Sequence, residues 1–172
     1  AIDSNDQAVL LAELNFKNSP FSGKLKAYHQ DIFSDDNTEG QYDLVVCNPP
    51  YFFQQFPSPS NTNMGAKHAQ FDESRWMKAL ISKLAKQGEL TVVLPFASTH
   101  KWISEANAAG MFCNQRLNVY SFASDSQPVR SLIHFSARLL KPEIKSLIMY
   151  SGQKIFSDEY IEFTGIDPGY RT

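Results

Sequence analysis

The sequence of 172 residues is poor in cysteine and glycine, and it contains no long apolar run. The two cysteines, Cys47 and Cys113, lie far apart in apolar segments. This predicts reduced core thiols rather than a disulfide or a metal site, and a cytoplasmic location is therefore expected. Four scattered histidines without ligand spacing likewise predict no bound metal. No stretch is long enough to cross a bilayer and no signal-peptide pattern is visible, so no membrane partner is expected.

The length is that of one domain with a core of its own, so residues 1–172 are interpreted as a single domain that acts as a monomer. The net charge of -2 does not indicate a polyanionic partner. The charges are nevertheless unevenly distributed. Residues 1–66 hold three basic and eight acidic side chains, whereas the remainder holds thirteen basic and ten acidic ones. This distribution is compatible with a basic face on the later part of the chain.

Apolar periodicity predicts alternating helices and strands, followed by a run of strands. Helices are predicted at residues 6–16 after cap candidates at residues 4–6, at residues 72–86 closed by Gly88, and at residues 98–109 closed by Gly110. Strands are predicted at residues 25–29, 44–47, 90–94, 115–123, 131–140 and 145–150. This order predicts an α/β fold, a Rossmann-like doubly wound and mostly parallel sheet with an antiparallel C-terminal edge. The apolar run at residues 44–47 further predicts a sheet covered on both faces.

The run Asn48-Pro49-Pro50-Tyr51 comes directly after this strand. Two prolines remove two backbone donors and fix φ, so the strand ends there. The run forms a rigid ledge with an amide and an aromatic face, which suits a planar ligand that carries an amino group. Ligands of open α/β sheets bind just beyond the carboxyl ends of the strands. A plain loop remains the alternative interpretation, because Asn and Pro are common turn residues.

With these motifs the chain resembles the class I S-adenosylmethionine-dependent methyltransferases of the Asn-Pro-Pro-Tyr type. More narrowly, it is similar to bacterial valine-tRNA adenine methyltransferases, which modify the adenine beside the anticodon. The resemblance rests on residues 1–3, 29–32, 42–52 and the tail at residues 156–160. It implies S-adenosyl-L-methionine as the cofactor and tRNA as the substrate. Because a Gly-rich turn normally precedes such motifs, the chain is expected to enter at the second strand of the fold and to lack an N-terminal portion.

The resemblance also implies roles for individual residues. Asp3 would accept hydrogen bonds from the ribose hydroxyls of the cofactor, and Asp31 would bind its adenine amine, with Ile32 packed beside the ring. The Asn48 side-chain oxygen and the Pro49 carbonyl would accept hydrogen bonds from the target amine and localise its lone pair toward the methyl sulfonium. Pro50 completes the ledge.

Tyr51 would stack on the target base after that base has unstacked from the neighbouring bases of the RNA. Phe52 and Phe53 are either core residues or a stacking surface, and their position on a long polar loop favours substrate contact. Lys67 is expected to bind RNA phosphate. For Lys78, Lys83 and Lys86 a solvated helix face is an equally good interpretation.

Two alternative functions stay open at this point. One is methylation of a glutamine carboxamide in a release factor, because that planar amide suits the same ledge. The other is an inactive RNA-binding relic, if the natural chain begins at Ala1 and lacks the turn that holds the methionine part of the cofactor.

Overall fold

The computed structural model describes residues 1–34, 42–50, 72–153 and 155–167. The chain divides into two units, Ala1–Glu39 and Gly40–Thr172. Within the described residues, no helix is long and apolar enough to cross a membrane.

The first unit is a short parallel strand pair with one helix. Strand β1 (Ile2–Asp3) pairs with β2 (Tyr28–His29), and α1 (Asp6–Lys17) connects them. The Asn5 side chain caps α1 by accepting from the backbone N–H groups of Gln7 and Ala8, as the cap candidates predicted. The predicted strand at residues 25–29 is reduced to its last two residues.

The second unit contains a five-stranded sheet in the order β3-β4-β6-β5-β7. Its elements are β3 (Tyr42–Cys47), α2 (Glu73–Ser82), β4 (Leu84–Pro95), α3 (Thr99–Ala108), β5 (Phe112–Tyr120), β6 (Arg130–Ser136) and β7 (Glu143–Ile148). β3, β4, β5 and β7 all run in one direction, and β6 is antiparallel to both of its neighbours. This mixed sheet with helices confirms the α/β class.

One face of the sheet forms the core. Leu90, Val92 and Leu94 of β4 and Ile133 and Phe135 of β6 are fully buried. The helices contribute further buried side chains, namely Met77 and Leu80 of α2 and Trp102 and Ala106 of α3. The opposite face is only partly covered, and Thr91 and His134 share a hydrogen bond of 3.1 Å there.

The second predicted helix is too long, because β4 begins at Leu84. Asp72 caps α2 and the helix ends at Ser82, so Gly88 lies inside a strand and does not close a helix. A Cβ atom at Gly88 would lie 2.7 Å from the carbonyl oxygen of Tyr42, and glycine is therefore needed where β3 and β4 approach. Lys83 is buried, which excludes the solvated helix face as its position.

The strand order also differs from the expected antiparallel edge. The antiparallel strand β6 is inserted between β4 and β5, and β7 pairs with β5 in parallel at the edge. Short separators favour antiparallel neighbours, yet the connection from Ser136 to Glu143 returns β7 in the parallel direction beside β5.

Among the described residues of the second unit, strand β3 has one exposed face. Leu44 is 54% and Val46 67% exposed, while Val45 and Cys47 on the other face are partly buried. An apolar strand sequence therefore indicates a strand in a sheet here, but it does not establish two covering layers.

The C-terminal tail adds β8 (Tyr150–Gly152), β9 (Ile155–Phe156) and α4 (Asp158–Thr164). Ser157 caps α4 by accepting from the N–H of Tyr160, and its hydroxyl donates to the carbonyl of Ile148 at the end of β7. Gly165, at φ 64°, ends the helix in the left-handed conformation.

Candidate active site at the carboxyl ends of the strands

Asn48 lies immediately beyond the carboxyl end of β3. Cys47 pairs in register with Val92, so Asn48 is at the carboxyl edge shared by the parallel strands of the second unit. Its side chain is exposed and makes no hydrogen bond within the part of the chain that the structure describes. Pro49 is fully buried and Pro50 is exposed. A buried ring thus fixes the backbone that presents an amide without a hydrogen bond to any described residue.

This geometry can perform two tasks. The Asn48 amide oxygen can accept one hydrogen bond from a planar amine, and its NH₂ group can donate to an acceptor beside that amine. The buried Pro49 ring limits the backbone to one conformation, which reduces the entropy lost when a ligand is positioned.

In the first unit, parallel pairing brings Asp3 and Asp31 to the same edge. Asp3 ends β1, its backbone carbonyl accepts from the N–H of Gln30 at 2.9 Å, and Asp31 is the next residue. Each carboxylate uses one oxygen locally: Asp3 accepts from the N–H of Asn5 at 2.8 Å and Asp31 from the N–H of Phe33 at 2.9 Å. In residues 1–34 and the other described segments, no hydrogen bond occupies the second oxygen of either group.

Gln30 provides a donor beside these acceptors. Its side-chain nitrogen is buried and has no hydrogen-bond partner within the described residues. A buried donor without a partner costs free energy, and a bound ligand with a ring nitrogen or hydroxyl would satisfy it. Gln30 was not among the site residues predicted from the sequence. Ile32 is partly buried in the turn that comes after Asp31.

Several predicted site residues cannot be located. Tyr51, Phe52, Phe53 and Lys67 lie outside the described residues. Their proposed contacts with the substrate remain predictions.

The two cysteines and two of the histidines, His29 and His134, have structural surroundings. Burial raises the pKa of the Cys47 thiol to about 11, and burial also raises that of Cys113, against the opposing charge of Arg116. His29 contacts the carbonyl of Ser4 at 3.0 Å, and His134 lies 3.4 Å from Glu89. No group of three or more potential ligands is placed to hold a metal ion among the residues that are described.

The tail motif forms an aromatic series that was not predicted from the sequence. Successive ring centroids of Phe122, Tyr150, Phe156 and Tyr160 are 5.6, 5.3 and 5.0 Å apart. The rings hold the tail against the loop after β5, so the tail residues Phe156, Ser157 and Tyr160 have a packing role in the second unit.

Comparison with known proteins gives a consistent result. The family model described as Methyltransferase small domain matches residues 1–106. The tRNA1(Val) (adenine(37)-N6)-methyltransferase of Histophilus somni (strain 129Pt) is 30% identical over 167 residues, covering 95% of this chain and 69% of that protein. The enzyme of the same name from Actinobacillus pleuropneumoniae serotype 7 (strain AP76) is 27% identical over 164 residues, with coverages of 95% and 69%.

Solved structures agree on the fold. A predicted O-methyltransferase, Atu636 from Agrobacterium tumefaciens, matches with a TM-score of 0.64 at 14% identity, over 91% of this chain and 72% of the other. A possible exported protein from Bordetella parapertussis matches with a TM-score of 0.52 at 13% identity, over 81% and 53% of the two chains. At these identities the likeness concerns the fold alone.

Proposed function

Because this chain belongs to the family of the methyltransferase small domain, we propose that it transfers a methyl group to the exocyclic amine of an adenine in tRNA. The observation that carries this proposal is the exposed amide of Asn48, unpartnered in the described segments, on the buried Pro49. The names of the curated relatives support tRNA(Val), and position 37 beside the anticodon, as the substrate. A tRNA substrate also fits a cytoplasmic location.

The reaction is difficult because the lone pair of an exocyclic adenine amine is delocalised into the ring. Hydrogen bonds from this amine to the Asn48 oxygen and the Pro49 carbonyl favour a tetrahedral nitrogen, whose lone pair then points out of the ring plane. Rate enhancement comes mainly from holding the nitrogen in line with the methyl group. Tyr51 stacks on the extruded base in this proposal.

S-adenosyl-L-methionine would supply an electrophilic methyl group on a sulfonium. The first unit fits its adenosine half: the free oxygens of Asp3 and Asp31 are acceptors for ribose hydroxyls and an adenine amine, and Gln30 holds an unused buried donor. Ile32 offers apolar contact to the ring. The family match spans residues 1–106, which include residues of both units. This supports the proposal that both units belong to one catalytic domain.

Incubation with labelled S-adenosyl-L-methionine tests the proposal. Unmodified tRNA(Val), the same tRNA with guanosine in place of adenosine 37, and a bacterial release factor are offered in parallel. We expect label only in the tRNA that carries adenosine 37. Label in the release factor alone would instead support glutamine methylation. Calorimetry with the same cofactor distinguishes an active enzyme from an inactive relic. The relic would bind RNA, but it would neither bind the cofactor nor transfer label.

A further inference from the structure

A second candidate site lies in the second unit at the start of α3. It is a cavity of about 470 Å³, lined among others by Thr99, His100, Asn107, Arg116 and Gln127. It is formed by the residues directly after β4, one face of α3 from Thr99 to Asn107, the middle of β5 and the loop after β5. None of its lining residues takes part in the chemistry assigned to Asn48.

Arg116 is the charged group of this cavity. Its side chain is partly buried, and its Nε atom is buried without a hydrogen-bond partner. Among the described residues, no carboxylate lines the cavity. Two exposed cations of this unit do have carboxylate partners, in the pairs Lys101–Glu73 at 2.7 Å and Arg138–Glu89 at 2.8 Å. A partly buried guanidinium without a counter-ion is costly unless a ligand supplies the negative charge.

A second observation concerns Thr99. This residue is 4% exposed, and its hydroxyl is buried without a hydrogen-bond partner in the described part of the chain. It opens the ten-residue helix α3, whose N-cap residue Ser98 makes no side-chain capping bond and whose first turn contains no acidic residue. The positive end of the helix dipole and an unused hydroxyl therefore meet at the cavity that Arg116 lines.

These features together select an anion. The Arg116 guanidinium, the Thr99 hydroxyl and the side-chain amides of Asn107 and Gln127 are all donors, and these residues line a space larger than a single water molecule. Phosphate monoesters and diesters match this set, because their several oxygens accept from a guanidinium and from neutral donors simultaneously.

We propose that this cavity binds a backbone phosphate of the RNA substrate, with Arg116 as its charged contact. The inference rests on the proposed function for the identity of the substrate. The register of the sheet connects Arg116 with Asn48: Arg116 lies opposite Ile133, Ile133 opposite Val92, and Val92 opposite Cys47, the residue before Asn48. Three strand spacings of about 5 Å each separate the two places, so a short stretch of RNA reaches both. A phosphate bound in this cavity positions the RNA strand so that its adenine reaches Asn48.

The first experiment measures RNA affinity against salt for the wild type, Arg116→Gln and Arg138→Gln. The control Arg138 belongs to the opposite edge of the sheet and pairs with Glu89. We expect Arg116→Gln to weaken tRNA binding about tenfold near 0.1 M salt and to lower the slope of log K against log salt by about one. Arg116→Lys should keep most of the slope, and Arg138→Gln should match the wild type.

A second experiment does not require RNA. Inorganic phosphate titrated onto isotopically labelled protein should shift the amide resonances of Thr99 and His100 in the wild type and not in Arg116→Gln. Thr99→Val removes the unpartnered hydroxyl and fills the same volume, so it should fold at least as stably and bind phosphate more weakly. Unchanged phosphate binding in Thr99→Val would overturn the site even if Arg116→Gln fails to fold.

The outcomes separate this inference from the proposed function. An unchanged salt slope in an Arg116→Gln protein that still methylates tRNA overturns the phosphate site alone. A lowered slope without methyl transfer by the wild type supports the site and contradicts the proposed function. Phosphate binding with no effect of Arg116→Gln on RNA affinity would assign the cavity to a small phosphate ester and overturn the RNA contact.

Discussion

Replacing Asn48 removes no hydrogen bond within the described segments, because its exposed side chain makes none there. We expect Asn48→Ala to lower kcat by about a hundredfold or more, the range observed when one preorganised polar group is removed from a reaction centre. Cofactor affinity by calorimetry should stay within about twofold. The control is Asn15→Ala on the exposed face of α1. An equal loss of cofactor binding in Asn48→Ala would show that this amide serves the cofactor.

Asp31 gives a second test at a single atom. In Asp31→Asn the amide oxygen still accepts from the N–H of Phe33, but an NH₂ group replaces the free carboxylate oxygen. We expect the Kd for S-adenosyl-L-methionine to rise about tenfold or more, because a charged hydrogen bond is lost. Asp125→Asn is the matched control, since Asp125 also accepts from a nearby backbone N–H, that of Phe122. A normal Kd in Asp31→Asn would remove Asp31 from the cofactor site.

The raised pKa of the Cys47 thiol leads to a predicted dependence of stability on pH. Burial raises the pKa of its thiol from 9.0 to about 11, so the folded state keeps a proton that the unfolded chain releases. The free energy of unfolding should be constant with respect to this group below pH 9 and decrease between about pH 9 and 11. Urea unfolding of the wild type and Cys47→Ala across this range measures the effect. The variant should show a smaller decrease, and an identical decrease would contradict the assignment.

At the scale of elements, Gly88 tests the contact between β3 and β4. A Cβ atom there would lie 2.7 Å from the Tyr42 carbonyl and 3.0 Å from that of Ala85, and backbone atoms cannot rotate away. We expect Gly88→Ala to lower the free energy of unfolding by about 1–3 kcal/mol.

Gly23→Ala is the control for this change. Nothing lies within 4 Å of a Cβ atom at Gly23 among the described residues, and stability should change by less than about 1 kcal/mol. The midpoints of urea unfolding are compared between Gly88→Ala and Gly23→Ala. Equal midpoints would show that β3 and β4 can separate enough to accommodate a Cβ atom at Gly88.

Several elements could be predicted from local sequence because their own residues determine them. Asn5 and Asp72 cap their helices, and Gly110, at φ 78°, lies just beyond α3. The start of β4 could not be predicted, because residues 83–88 include good helix formers. Pairing of Tyr42 with Leu84, together with the bond from the Tyr42 N–H to the Lys83 carbonyl, overrides that propensity.

At the scale of the whole molecule, those parts of the candidate site that lie in a short sequence motif could be predicted. Asn48 and its prolines are contiguous, and Asp3 and Asp31 each lie at the end of a strand. The cavity around Arg116 was not predictable, because α3, β5 and a loop contribute single residues from distant parts of the sequence. The order of the strands in the sheet could not be predicted either, because periodicity indicates which residues form a strand but not which strands are neighbours.

The central position of β6 determines when the protein can fold during synthesis. Residues 1–106, which match the family, end before β5, yet the partner of β4 is residues 130–136. A nascent chain that has passed β4 therefore still presents this strand with one unpaired edge until β6 leaves the ribosome. We expect chains ending at residue 129 to be degraded or insoluble in pulse-labelled extracts, whereas chains ending at residue 153 should resist protease. The ledge at Asn48 and its prolines is thus synthesised before β6, the strand on which its sheet depends for support.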